Sequence, residues 1–144
     1  MNKHRVLILC TGNSARSQMA EALLRHIAGD DFEVHSAGVS PTAIKPEAVD
    51  ILKENGIPSD GLWSKSIDEF AGQDFDHIIT VCDNANENCP IFPGKAERIH
   101  WSIDDPAAAE GDREQRLNAF RIAFDVLKEK LTLFCQRSCR FPTA

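Results

Sequence analysis

No apolar run in the 144-residue chain approaches the roughly 20 residues that a membrane helix needs, so no spanning segment is expected. The start, Met1-Asn2-Lys3-His4-Arg5, is followed by only four apolar residues before Cys10. That is too short for a secretory signal, and the expected compartment is the cytoplasm. A basic surplus is missing too. Sixteen Lys and Arg against 22 Asp and Glu leave a formal charge of −6. This argues against a broad nucleic-acid or anionic-membrane surface, while leaving room for one cationic pocket. Repeats, low-complexity tracts and linkers are absent. The length fits a single domain over 1–135, with 136–144 as a short polar tail. No exposed apolar stripe forces a dimer, so a monomer is expected.

Five cysteines are present: Cys10, Cys82, Cys89, Cys135 and Cys139. An odd count without an export signal makes a poor disulfide framework. In a reducing compartment such cysteines are more often catalytic, redox-active or metal-binding. The spacing Cys82-x6-Cys89 with Cys135-x3-Cys139 fits zinc ligation badly, and the five histidines are scattered, so no metal site is expected.

Val6-Leu7-Ile8-Leu9 reads as a buried parallel strand. The stretch from Ser17 to Ala28 places Met19, Ala20, Leu23, Leu24 and Ile27 on one helical face. A strand is expected over Phe32–Ser36, and a helix opens at Pro46 and closes near Asn55-Gly56. Ile67 to Phe70 fits one helical turn. Further strands are expected at Ile78–Val81 and Arg98–Ile103. Leu117, Phe120, Phe124, Leu127, Leu131 and Phe134 recur at spacings of three and four, which marks the last helix. Strands alternating with helices imply a four-stranded parallel α/β sheet covered on both faces. Ligands bind such sheets outside the carboxyl ends of the strands. Cys10, Cys82 and the Asp104-Asp105 pair each follow a strand and should converge there.

The segment Cys10-Thr11-Gly12-Asn13-Ser14-Ala15-Arg16-Ser17 joins a strand to a helix. Its backbone N–H groups, with the positive end of the helix behind them, can cradle an oxyanion. Gly12 allows a backbone shape that a side chain would hinder. Asn13 should hold the loop by side-chain hydrogen bonds to backbone. Arg16 offers a planar fork for two oxygens of a tetrahedral anion. Cys10 would lie beneath that anion, where its thiolate form can attack. Ser17 either donates to the Cys10 sulfur or caps the helix. Ala15 contributes its backbone N–H only.

Cys-x5-Arg-Ser near the start, with Asp-Pro far downstream, resembles the low-molecular-weight tyrosine phosphatase fold. In finer detail, Cys10 to Ser14 and Arg16 to Glu21 resemble the thioredoxin-coupled arsenate reductases built on that fold. The likeness continues through Ser36-Ala37-Gly38, Thr80-Val81-Cys82, Cys89-Pro90, His100-Trp101 and Asp104-Asp105-Pro106, to about residue 134. It implies a relay. Cys10 attacks arsenate, Cys82 attacks Cys10 and releases arsenite, and Cys89 moves the disulfide to Cys82–Cys89. Thioredoxin, or a glutaredoxin, then reduces that pair, and no bound cofactor is required. The polar stretch between Cys82 and Cys89 can be a loop or a loose helix. In a regular helix the two cysteines would stand ~10 Å apart along the axis, whereas a disulfide needs Cα atoms within about 7 Å. Pairing therefore requires a loop or a rearrangement.

By the same likeness Asp105 is the general acid that protonates a departing oxygen. The residue type is also a common turn initiator before proline. In some related reductases, positions like Glu21 and Ser36 help to bind potassium, but none is predicted here. The acidic residue expected near 63–66 is absent here, and Lys65 stands there with an ammonium that can replace the ion. His100 reads as packing beside a strand, Asp68 and Glu69 as solvated charges, and Cys135 and Cys139 as incidental. Phosphatases of the family usually follow Asp-Pro with tyrosines that grip an aromatic substrate. This chain has Ala107-Ala108-Ala109 and no tyrosine at all. The alternative role is a tyrosine phosphatase using only Cys10, Arg16 and Asp105.

Overall fold

The computed structural model describes residues 3–82 and 96–138. Cys89 and Cys139 lie outside the described residues. Four strands, β1 (His4–Cys10), β2 (Phe32–Gly38), β3 (His77–Thr80) and β4 (Glu97–His100), form one parallel sheet in the order β2-β1-β3-β4. Val6 to Cys10 of β1 are all buried, which explains the unbroken apolar run: both faces of this central strand are covered. The register aligns Leu9 with Ala37 on one side and Thr80 on the other. Cys10, Gly38 and Val81 therefore leave the sheet side by side, at the rim where ligands bind folds of this kind.

Helix α1 (Arg16–Ala28) packs on β1 and β2, and α2 (Pro46–Glu54) and α3 (Arg113–Ser138) pack against α1. Pro46 opens α2 as its first residue. Phe120, Phe124, Leu127, Leu131 and Phe134 of α3 are buried, each burial being worth about 1.5–3 kcal/mol. Short 3-10 turns occur at Ile67–Phe70, as expected, and at Pro106–Ala108.

Several boundaries differ from the sequence expectation. β4 stops at His100, although Trp101 and Ile103 still donate to Thr80 and Val81 carbonyls. The alternation Ile99-Trp101-Ile103 follows this continuing contact rather than a regular ladder. Helix α3 starts at Arg113 and runs to Ser138, so residues 136–138 belong to it and not to the tail. Ile27 is half exposed and not part of the core face of α1. His100 is exposed, and its Nδ1 lies 2.8 Å from Thr80 Oγ1.

Candidate active site

Residues 11–15 carry the chain from β1 into α1 around a cavity of about 350 Å³. Cys10, Gly12, Ser14, Arg16 and Asp105 line it, together with Lys45 from the start of α2. Thr11 and Ala15 also face it, whereas Asn13 and Ser17 lie behind the loop. Helix α1 begins without a side-chain cap, which leaves its first N–H groups for a bound anion. Ser17 takes the sulfur-contacting role rather than the capping one.

Asn13 organises the loop from within. It is fully buried and adopts a positive φ of 48°, a conformation that asparagine tolerates better than most residues. Its Oδ1 accepts the Lys65 backbone N–H at 2.8 Å, which fixes the orientation of the amide. Nδ2 then donates to Ser17 Oγ at 2.7 Å and to Ser36 Oγ at 2.9 Å. Ser36 in turn donates to Glu21 Oε1. Ser17 Oγ accepts from Asn13 and lies 2.9 Å from Cys10 Sγ, so its proton is free to donate to the sulfur. The expected bonds from Asn13 to backbone reduce to one, and two hydroxyls take the rest.

Gly12 has an ordinary φ, contrary to the sequence expectation. Its constraint is space, since a Cβ would come within 3.2 Å of Thr42 Oγ1. Gly38 is tighter still. A Cβ there would stand 2.6 Å from Thr11 O and 2.8 Å from Asn13 N. Backbone bonds lace the segment after β2 to the loop: Val39 N to Cys10 O, Ser40 N to Thr11 O, Thr42 N to Gly12 O and Lys45 N to Ser14 O. The sequence reading missed this second wall, because only tertiary pairing brings residues 39–45 to the loop.

Arg16 is nearly buried, and its Nη1 donates to Ile103 O at 2.8 Å. That bond ties the loop to the segment carrying Asp105. Nη2 faces Asp105 Oδ2 at 3.8 Å. Asp105 Oδ1 accepts the Ala107 N–H at 3.0 Å and starts the short turn. Oδ1 of Asp105 thus builds the turn, and Oδ2 is left toward Arg16 at the cavity lining. Cys82 is buried two residues beyond β3, and its Sγ lies 3.2 Å from Thr11 Oγ1. The second thiol is therefore held against the side chain that follows the first.

Lys65 occupies the region behind Asn13. Its Nζ lies 3.5 Å from Glu21 Oε1 and donates to Trp63 O at 2.8 Å. Burial pushes the Lys65 ammonium below its ordinary pKa, and the Glu21 charge opposes that shift. Arg25 closes the other oxygen of Glu21. Among the described residues, no group of three or more His, Cys, Asp or Glu side chains is placed to hold a metal ion.

A strand-to-helix oxyanion loop with a buried cysteine, an arginine six residues on and an Asp-Pro turn opposite defines a known class. The chain belongs to the low molecular weight phosphotyrosine protein phosphatase family, which matches residues 5–140. Within it, the chain is 40% identical over 136 residues to an arsenate reductase of Halalkalibacterium halodurans, covering 94% of this chain and 98% of that one. Among solved structures, it resembles an arsenate reductase in the phosphate binding state, with TM-score 0.76 and 27% identity over 93% of this chain and 98% of that one. It also resembles a thioredoxin-dependent arsenate reductase of Corynebacterium glutamicum, with TM-score 0.64 and 28% identity over 91% of this chain and 63% of that one.

Proposed function

We propose that the protein reduces arsenate to arsenite with electrons drawn from its own cysteines. The observation that carries this reading is the second buried thiol, Cys82, set beside the cradle against Thr11. A phosphatase of this fold has no use for it. The relatives named arsenate reductase support the same reading.

The family resemblance and the placement of Cys10, Arg16 and Cys82 support these steps. Arsenate rests on the loop N–H groups and on Arg16. Cys10 thiolate attacks arsenic, an oxygen departs as water with a proton from Asp105, and a sulfur–arsenic bond forms. Cys82 thiolate attacks the Cys10 sulfur. The sulfur–arsenic bond breaks, its electron pair stays on arsenic, and arsenite leaves. Cys89 attacks Cys82 and frees Cys10 as thiolate. A dithiol protein of the thioredoxin type reduces the Cys82–Cys89 disulfide, so the cycle calls for no bound cofactor. A glutaredoxin is the other candidate donor.

Arsenate-dependent NADPH oxidation, coupled through thioredoxin and thioredoxin reductase, tests the relay. Turnover is expected in the wild type and none above background in Cys10→Ser, Cys82→Ser or Cys89→Ser. Full turnover by Cys82→Ser or Cys89→Ser would overturn the relay. p-Nitrophenyl phosphate hydrolysis without arsenate reduction would make the protein a phosphatase. The alanines after Pro106 and the absence of tyrosine argue against that role.

A further inference from the structure

Lys45 lines the cavity beside the cradle, yet the relay gives it no part. Its position is awkward as a matter of helix chemistry. It is the N-cap residue of α2, where Ser, Thr, Asp or Asn is preferred and where a cation meets the positive helix end. It makes no side-chain cap bond. The neighbouring carboxylates are already paired, Glu47 with Arg116 and Asp50 with Arg113. Among the described residues no carboxylate lies within ion-pair distance of its ammonium. Its backbone is nevertheless fixed, because Lys45 N donates to Ser14 O at 2.8 Å and Pro46 follows it. A local rule broken at a fixed place beside a site points to function.

The charge balance of the cavity supplies that function. A doubly charged oxyanion enters beside the Cys10 thiolate and Asp105. Arg16 is the other side-chain cation in the lining, and it is already shared with Ile103 O and Asp105. We propose that Lys45 is a second cationic ligand for the tetrahedral oxyanion, holding the outer oxygens while Arg16 and the loop hold the inner ones. This rests on the oxyanion reading of the cavity and deepens it, since it makes the site selective for dianions. Arsenate and phosphate share the chemistry, and both are therefore bound.

The test reads binding separately from reduction. Cys10 is alkylated with iodoacetamide in rising orthophosphate or arsenate, and the Cys10 peptide is followed by mass. Lys45→Gln is expected to raise the half-protecting concentration about threefold to fivefold, the upper range for one partly screened charge. Lys45→Arg should stay within about twofold of wild type, and Lys53→Gln, at the far end of α2, should change nothing. Added salt should narrow the gap between wild type and Lys45→Gln. In arsenate turnover, KM should rise with kcat kept. Equal protection in wild type and Lys45→Gln would overturn the proposal. Protection that needs Lys45 but comes without arsenate reduction would leave the proposal standing and overturn the reductase reading. A wild type that no oxyanion protects would overturn both.

Discussion

Ser17 has one proton to give, and Asn13 decides where it goes. Both hydrogens of the Asn13 amide are spent on hydroxyl oxygens, which leaves each serine its own proton to donate. Ser36 gives to Glu21, and Ser17 can give to Cys10. The bond from Ser17 is a hydrogen bond to a charged group when Cys10 is a thiolate, worth about 1.5–3 kcal/mol. Ser17→Ala should therefore lower kcat/KM for arsenate by about 10- to 100-fold, with the fold intact by circular dichroism. Ser17→Thr, which keeps the hydroxyl, should recover part of that loss. Cys10, Arg16 and Ser17 were legible in the sequence because they lie in one short segment. Asn13's partners at Ser36 and Lys65 were not, since 23 and 52 residues separate them from it.

At the scale of elements, the cradle is only as firm as the strand beside it. Gly38 ends β2 within reach of the Thr11 carbonyl and the Asn13 nitrogen, and no side chain fits between them. Gly38→Ala should cost about 1–3 kcal/mol through backbone displacement, read as a lower urea midpoint. Arsenate turnover should fall further than the stability loss explains, because the shift moves the oxyanion loop itself. The elements themselves were largely readable. β1 is buried on both faces and shows as a continuous apolar run, and α3 shows as a repeat of three and four. Helix α1 was harder. Ten of its 13 residues are buried, including Gln18 and Glu21, so its polarity pattern understates how fully it is enclosed. The end of β4 was misread because apolar alternation outlasts the ladder.

At the scale of the whole molecule, carboxylates outside the cradle contribute to acid stability. Glu97 on β4 accepts from Arg137 at the end of α3, at 2.7 Å, and pairs with His77 on β3, at 2.9 Å. Chiefly the Arg137 bond, then the His77 bond, hold its carboxyl below the usual range. Glu33 is lowered likewise, first by His35 and then by Arg5. A carboxylate lowered in the fold contributes stability that is present above its unfolded pKa and lost as pH falls through the folded one. The melting temperature should therefore drop through the acid range below the ordinary carboxylate pKa. Glu97→Gln should flatten that drop without changing arsenate turnover at neutral pH. Thermal melts across a pH series read it directly.

The fixed direction of the Asn13–Ser17 hydrogen bonds also gives the electron flow a preferred sense. In the proposed relay, Cys10 is the departing sulfur when Cys89 attacks Cys82. The Ser17 hydroxyl bonds a charged sulfur more strongly than a neutral one, so it steadies Cys10 as it leaves. A Cys10–Cys82 disulfide lacks that benefit. In that relay, Ser17 favours moving the disulfide away from Cys10 and so returns the cradle for the next oxyanion.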